Sequence, residues 1–296
     1  MYKFKPLVSI IIPTFNHADY LNKALQSVLH QTYTNWEAIV IDNHSTDDTG
    51  KVIARFNDHR IKYLKIQNYG VIAKSRNIGI KSAKGDWVAF LDSDDSWTSD
   101  KLKTCIENIN NQIDLIYHDL EVTSDRQIFF KGKINKSRQL KKPILIDLLV
   151  NGNVISNSSV IVRKKVLTKI GLIEENKDLI AAEDYNTWLK ISKFTDQFLY
   201  IPKKLGYYYI HHEGVSRRNM SMPTQKATQD FLCILNNKQK KKLEANIKYI
   251  SGRFNYLNFN YKQAKKDLVF VLRYSSFKLR LKSLIMITHI MISSNR

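Results

Sequence analysis

The segment Phe90-Leu91-Asp92-Ser93-Asp94-Asp95 sets three carboxylates within four residues directly after an apolar run. Hard oxygen ligands spaced Asp-x-Asp at a strand tip suit Mg²⁺ or Mn²⁺, and a cation held this way keeps open positions for the oxygens of a diphosphate. That chemistry belongs to an enzyme acting on a nucleotide-linked donor. The same residues also suit an acidic, solvated turn after a strand, and the segment alone does not separate the two readings. A second acidic pair, Glu183-Asp184, opens a stretch whose apolar positions Tyr185, Trp188, Leu189 and Ile191 follow helical spacing. Its plain reading is two acids favouring the positive end of a helix dipole.

The elements that must position these groups alternate regularly over the first hundred residues. Leu7 to Ile12, Trp36 to Ile41, Ile61 to Ile66 and Trp87 to Leu91 are short runs rich in β-branched or aromatic residues, separated by stretches long enough for crossover helices. The pattern predicts an α/β fold with a parallel sheet covered by helices on both faces. Helix starts are expected at Asn16 or Asp19, at Ser45 with Asp48 three residues on, and at Ser99. Ligands of open α/β sheets sit beyond the carboxyl ends of the strands, where Pro13-Thr14, Asp42-Asn43 and Asp92-Ser93-Asp94 fall.

Composition bounds the rest. A chain of 296 residues, 43% hydrophobic and 25% charged, can bury a full core and is not disordered. Cys105 and Cys233 lie far apart without metal-ligand spacing and are expected to be reduced, buried thiols of a cytosolic protein. The start of the chain lacks the features of a signal peptide. The apolar stretch Leu284 to Ile292 is far short of the roughly 20 residues that span a bilayer. Net charge is +20, and from Gln225 to Arg296 fifteen Lys plus Arg stand against Asp230, Glu244 and Asp267, so this tail carries +12. Such a surface attracts an anionic partner, and charge alone does not say which.

Five segments, in order, resemble family 2 glycosyltransferases of the GT-A fold: Val8 to Asn16, Glu37 to Asp47, Arg76-Asn77-x-Gly79, Phe90 to Asp95, and Glu183-Asp184-Tyr185. The resemblance runs from about residue 7 to residue 216. It implies a nucleotide-sugar donor, a glycan or lipid-linked acceptor, and a divalent Mn²⁺ or Mg²⁺ ion. It assigns Pro13, Thr14, Asn16, Asp42, Asn43, Arg76, Asn77, Asp92, Ser93 and His211 to donor binding, Asp94 and Asp92 to the metal, and Asp184 with Glu183 to catalysis, Asp184 as general base. Uracil presents one N–H between two carbonyls, so its pocket needs an acceptor flanked by donors. Here the family's Asp-Asp-Gly-Ser becomes Asp42-Asn43-His44-Ser45, which keeps an amide acceptor but loses a carboxylate. His44 reads as a turn residue. Arg76 is the residue type for bidentate phosphate recognition. Ser156 to Arg163 reads either as part of the acceptor wall or as a capping turn. Tyr208-x-x-His211, followed by Ser216, resembles the element that closes the family's catalytic domain, with His212 incidental.

The organisation so implied is a nucleotide-sugar-binding half over 1–105, an acceptor- and base-bearing half over 106–216, and a basic helical extension over 217–296. Phe277 to Ile292 can lie on an anionic membrane surface or pack as a buried helix, so the expected location is cytoplasmic, with peripheral attachment to the cytoplasmic face as one outcome. No Gln-x-x-Arg-Trp element follows Asp184, which favours transfer of one sugar over polymerisation. Two alternatives stand beside this reading. A sugar-nucleotide nucleotidyltransferase would show a Gly-rich phosphate loop, absent from Thr14-Phe15-Asn16-His17. A non-catalytic basic binding protein is the other, but carboxylates at the strand ends repel phosphate and no nucleic-acid module is recognisable, so nucleic acid is not an expected partner.

Overall fold

The computed structural model describes residues 5–124, 133–211 and 218–293. Strands β1 (Val8–Thr14), β2 (Trp36–Asp42), β3 (Ile61–Lys65) and β4 (Trp87–Phe90) alternate with helices α1 (Ala18–Leu29), α2 (Thr49–Ala54) and α3 (Ile72–Ser82). The four apolar runs are therefore the four strands, each within two residues of its expected end. The chain continues through β5 (Ser96–Trp97), α4 (Lys101–Glu107), β6 (Leu115–Thr123), β7 (Ile134–Asn135), α5 (Ile144–Asn151), β8 (Ile161–Arg163) and α6 (Lys164–Lys169). It ends in α7 (Glu183–Ser192), β9 (Phe198–Tyr209), α8 (Ser221–Thr228), α9 (Asn237–Leu257), α10 (Tyr261–Tyr274) and α11 (Phe277–Ser293).

The sheet order is β3-β2-β1-β4-β8-β6-β9-β5, with β7 on β6. β3, β2, β1 and β4 are parallel, whereas β8 is antiparallel to both β4 and β6. β1 and β2 are buried along their whole length, as continuous apolar strands covered on both faces must be. α1 buries Leu21, Ala24, Leu25 and Val28, the stripe its periodicity predicts. α3 lies very close to the sheet: a Cβ on Gly79 would stand 2.6 Å from Ile11 Cγ2 and 2.9 Å from Ile41 Cδ1, so no larger residue fits.

Chain contacts divide the molecule into two compact units, one of Met1–Leu140, Val154–Glu175 and Lys190–His212, the other of Lys141–Asn153, Asn176–Leu189 and Glu213–Arg296. The first holds the sheet. The second holds α5, most of α7, and the C-terminal helices, of which α10 and α11 build a small core from Ala264, Leu268, Ile287 and Ile290. Among the described residues no helix is long and apolar enough to cross a membrane.

Three local expectations change. α1 and α2 start without side-chain caps of their own, at Ala18 and Thr49; Asp47 accepts from both backbone N–H groups, at 2.9 and 3.1 Å. Ser45 instead donates to Asp42. Of the two free thiols, Cys105 is buried but Cys233 is exposed.

Candidate active site

Pro13 helps open the site. The carbonyl of Ile11 accepts from Leu91 N at 3.1 Å on the β4 side of β1, and alternate residues of a parallel strand face the same neighbour. Pro13 falls on that side without an N–H, so the ladder to β4 ends. Pairing to β2 runs on to Thr14 opposite Asp42, and Asn43 N then donates to Thr14 O at 3.0 Å. Three strand tips thus bring Thr14, Asp42 and Asp92 to one end of the sheet.

Asp42 is fully buried and shared out. One oxygen accepts from Ser45 N at 2.9 Å and Ser45 Oγ at 2.5 Å, the other from Tyr63 OH at 2.6 Å. Burial and this carboxylate push the Tyr63 hydroxyl well above its usual range. Asn43 Oδ1 accepts from Asn68 N at 2.8 Å, leaving the Asn43 amide NH₂ as a donor without a partner among the described residues. Asn16 and His44 both adopt left-handed backbone, φ 51° and 54°, the conformation Asn tolerates and glycine prefers. Asn16 Oδ1 accepts from Thr46 N at 2.8 Å, tying the β1 tip to the loop after β2. The Thr14 hydroxyl is buried with no hydrogen-bond partner among the described residues.

The acidic turn is held from three directions. Arg76, 4% exposed, donates from Nη2 to Asp92 Oδ1 at 2.7 Å, and Asn157 Nδ2 donates to the same oxygen at 2.9 Å. Ser158 Oγ accepts from Asp92 N at 3.1 Å, while Trp97 Nε1 donates to Ser158 O at 2.8 Å. His17 and Ser93 are joined by a hydrogen bond of 2.9 Å, and Asp94 Oδ2 lies 2.8 Å from His211 Nε2. The His211 ring centre is 5.3 Å from Tyr20 and 5.6 Å from His17. Asp95 accepts from Tyr209 N at 3.0 Å; burial first, then the charges of Asp94 and Asp92, push its carboxyl well above the usual range. Beside Asp94 and Asp95 opens a cavity of about 350 Å³, walled elsewhere by Tyr20, Lys23, Tyr207 and Tyr209.

The sequence-based site residues of the first unit are therefore largely brought together, with differences. Arg76 and Asn77 lie in the middle of α3. Asn77 sits apart from the strand tips: its amide donates to Ile173 O at 2.8 Å and Glu175 Oε1 at 2.9 Å and accepts from Ile173 N at 3.0 Å, which commits it to holding that segment. Ser156 to Ser159 braces the acidic turn through Asn157 and Ser158. His17, Tyr20 and Asn68 escape sequence reasoning because their partners Ser93, His211 and Asn43 are brought to them only by folding. Ser216 and His212 lie outside the described residues.

Glu183 and Asp184 belong to the second unit. They open α7, where Asp184 Oδ1 accepts from Tyr185 N at 2.6 Å and Glu183 O accepts from Thr187 Oγ1 at 2.7 Å. Tyr185, Trp188 and Leu189 are buried, and Tyr185 OH donates to Leu148 O at 2.8 Å, which fixes the start of the helix against α5.

Among the described residues no three His, Cys, Asp or Glu side chains form a ready metal-binding group. The donor set at Asp94 nonetheless fits a divalent cation. A carboxylate oxygen and an imidazole nitrogen meet there, at the rim of the cavity beside Asp94 and Asp95. Mg²⁺ and Mn²⁺ accept such a partial set and complete it with substrate oxygens and water.

The chain is 33% identical over 188 residues to the Escherichia coli UDP-Glc:alpha-D-GlcNAc-diphosphoundecaprenol beta-1,3-glucosyltransferase WfgD, covering 63% of this chain and 70% of that protein. The S. aureus TarS 1–349 structure in complex with UDP-GlcNAc superimposes with a TM-score of 0.65 at 20% identity, over 97% of this chain and 91% of that one. Mannosyltransferase PcManGT from Pyrobaculum calidifontis, in complex with GDP-Man and Mn²⁺, gives 0.64 at 16% identity over 98% and 81%. These likenesses place the fold in the GT-A class. The family model described as glycosyl transferase family 2 matches residues 9–171, more than half of the chain, and the chain belongs to that family of transferase enzymes.

Proposed function

We propose that this glycosyltransferase moves one sugar from a UDP-sugar to a hydroxyl of a lipid-linked or oligosaccharide acceptor during assembly of a cell-surface polysaccharide, with inversion at the anomeric carbon. The observation that carries the reading is the convergence of Thr14, Asn43, the Arg76–Asp92 pair and the Asp94–His211 pair at one end of the parallel strands. WfgD, by name a UDP-Glc:alpha-D-GlcNAc-diphosphoundecaprenol beta-1,3-glucosyltransferase, supports the donor and acceptor classes. The functional division into 1–105, 106–216 and 217–296 belongs to this proposal.

Thr14 and Asn43 offer a hydroxyl and an amide NH₂ to the carbonyls and ribose of a uridine nucleotide, while Asp42 serves the pocket indirectly by locking Ser45 and Tyr63 in place. Arg76 and Asn157 already share one oxygen of Asp92, and Asp95 is buried against Tyr209 N, so of the three acids Asp94, at the cavity wall, is the better placed for the cation. Asp94, with His211 and then Asp92, would hold the divalent cation, which when bound supplies Lewis-acid stabilisation of the departing diphosphate. Asp184, at the positive end of the α7 dipole, takes the proton of the acceptor hydroxyl as it attacks opposite the leaving group; one displacement inverts the centre without a covalent intermediate. Glu183 orients the acceptor side.

The test is hydrolysis of UDP-, GDP- and dTDP-sugars by the purified protein with and without Mn²⁺. UDP release from one UDP-sugar, lost on chelation and restored by Mn²⁺, is the expected result. Preference for a GDP-sugar, or equal rates after chelation, would overturn the donor or the metal part respectively.

A further inference from the structure

α11 is apolar on both sides. Its inner residues Ile287 and Ile290 are buried in the small core with Ala264 and Leu268. Its outer residues Phe277, Leu281, Leu284, Ile285, Met291 and Ile292 are 81, 50, 50, 61, 52 and 58% exposed. At 3.6 residues per turn these six fall on one stripe about a third of the helix circumference wide. A helix with apolar residues on two faces is ordinarily buried on both, and exposed apolar surface of this kind, interrupted here by Thr288, marks an interaction site.

The rim of the stripe is cationic. Lys278 and Lys282, four residues apart, line one edge, and Arg280 lines the other, braced by donation from its Nε to Ser275 O at 2.9 Å. α11 contains no acidic residue. The loop between α9 and α10 adds an independent observation. Phe259 has φ 59° and is 78% exposed, so its backbone carries left-handed strain while its ring gains little packing in return. Its neighbours Tyr256 and Tyr261 are 6.2 Å apart at their ring centres, and Tyr256 stands 5.6 Å from His289. His289 is four residues after Ile285 and three before Ile292, so this loop adjoins the far end of the stripe.

We propose that the outer face of α11, together with Phe259, is the surface by which this chain rests on an anionic phospholipid bilayer, with the apolar stripe at the level of the acyl-chain boundary and Lys278, Arg280 and Lys282 among the phosphates. Burial of an apolar helix face plus attraction of the basic rim to anionic headgroups is the physics of an interfacial helix. A second copy of the chain is a poorer occupant, because pairing two stripes about a two-fold axis sets two lysine rims, on chains of net charge +20, against each other. The inference rests on the proposed function only in that a lipid-linked acceptor would be met at such a surface; it does not depend on the donor.

The experiment is co-sedimentation of the full chain with vesicles of phosphatidylcholine, alone or mixed with phosphatidylglycerol, read beside release of UDP from a water-soluble UDP-sugar and the melting midpoint. The chain should bind the mixed vesicles at least about ten-fold more tightly than the neutral ones. Leu281→Ser with Ile285→Ser, and separately Lys278→Glu with Lys282→Glu, should each weaken binding to mixed vesicles by about ten-fold or more, and Phe259→Ser by a few-fold, with donor hydrolysis and melting unchanged. Equal binding by wild type and both double variants overturns the proposal. So does a wild-type dimer that Leu281→Ser with Ile285→Ser dissolves in the absence of lipid binding. Vesicle binding without UDP-sugar hydrolysis would instead defeat the proposed donor and leave the surface standing.

Discussion

The strand ends of the first unit and the outer face of α11 concentrate the molecule's unusual side chains, and they are built in opposite ways. At the strand ends each polar group is placed by a distant partner: Asp92 by Arg76 and Asn157, Asp94 by His211, Ser93 by His17. On α11 no partner places the exposed stripe; helical period alone does so. Chemistry at an anomeric carbon needs atoms held to fractions of an ångström. Adhesion to a surface needs only area and charge. One region should therefore fail at single substitutions, while the other should yield only to several.

The largest effect that can break or sharpen this contrast is at the acids. Asp184→Asn and Asp94→Ala should each lower transfer by about 10³-fold while the melting midpoint stays within a few degrees. Full activity in either variant, measured by product formation under saturating donor, would remove that residue from the reaction. Next comes the pair behind the turn. Arg76→Ala leaves Asp92 without its cation and should cost roughly 3 kcal/mol in denaturant unfolding, with Arg76→Lys intermediate because it restores charge but not the guanidinium geometry. An unchanged midpoint for Arg76→Ala would mean the pair is not holding the turn.

Lys101 gives a smaller effect with a defined sign. It is fully buried, 3.6 Å over the Trp97 ring, with no hydrogen-bond partner for its ammonium among the described residues, and burial pushes its pKa down to about 7. Between that value and the ordinary 10.5 the unfolded chain binds a proton that the folded chain does not. Stability therefore rises with pH through this window and is lost as pH falls toward 7. Wild type should gain roughly 2 kcal/mol between about pH 7.5 and about pH 9, and Lys101→Met should flatten that slope. A slope identical in the two proteins would place the titration elsewhere. The smallest effect belongs to the helix face: Ile285→Ser alone should shift stability by no more than about 0.5 kcal/mol, a limit that chemical denaturation can check.

Much of the first unit was legible in the sequence. Buried parallel strands must be continuous apolar runs, so their positions are written locally, and the ligand end of such a sheet follows from topology. The helix starts were not. Ser45 has the type and spacing of a cap, yet Asp42, three residues earlier and fully buried, takes its hydroxyl, and Asp47 satisfies the amides of both α1 and α2. Asn77 illustrates the same limit, because an amide inside a motif gives no sign that its partners are Ile173 and Glu175, about a hundred residues later. Cys233 reads as a buried thiol by residue type and is exposed.

By itself, then, the sequence determined what depends on neighbours within one helical turn or one strand: the β1 to β4 series, the buried stripe of α1, the amphipathic start of α7, and the basic, apolar character of the last helix. Only the tertiary structure decided which acid is neutralised and which is not. Arg76 reaches Asp92 across sixteen positions and His211 reaches Asp94 across 117, and a carboxylate's charge is set by whichever group folding brings within a few ångströms, a distance that sequence separation does not encode.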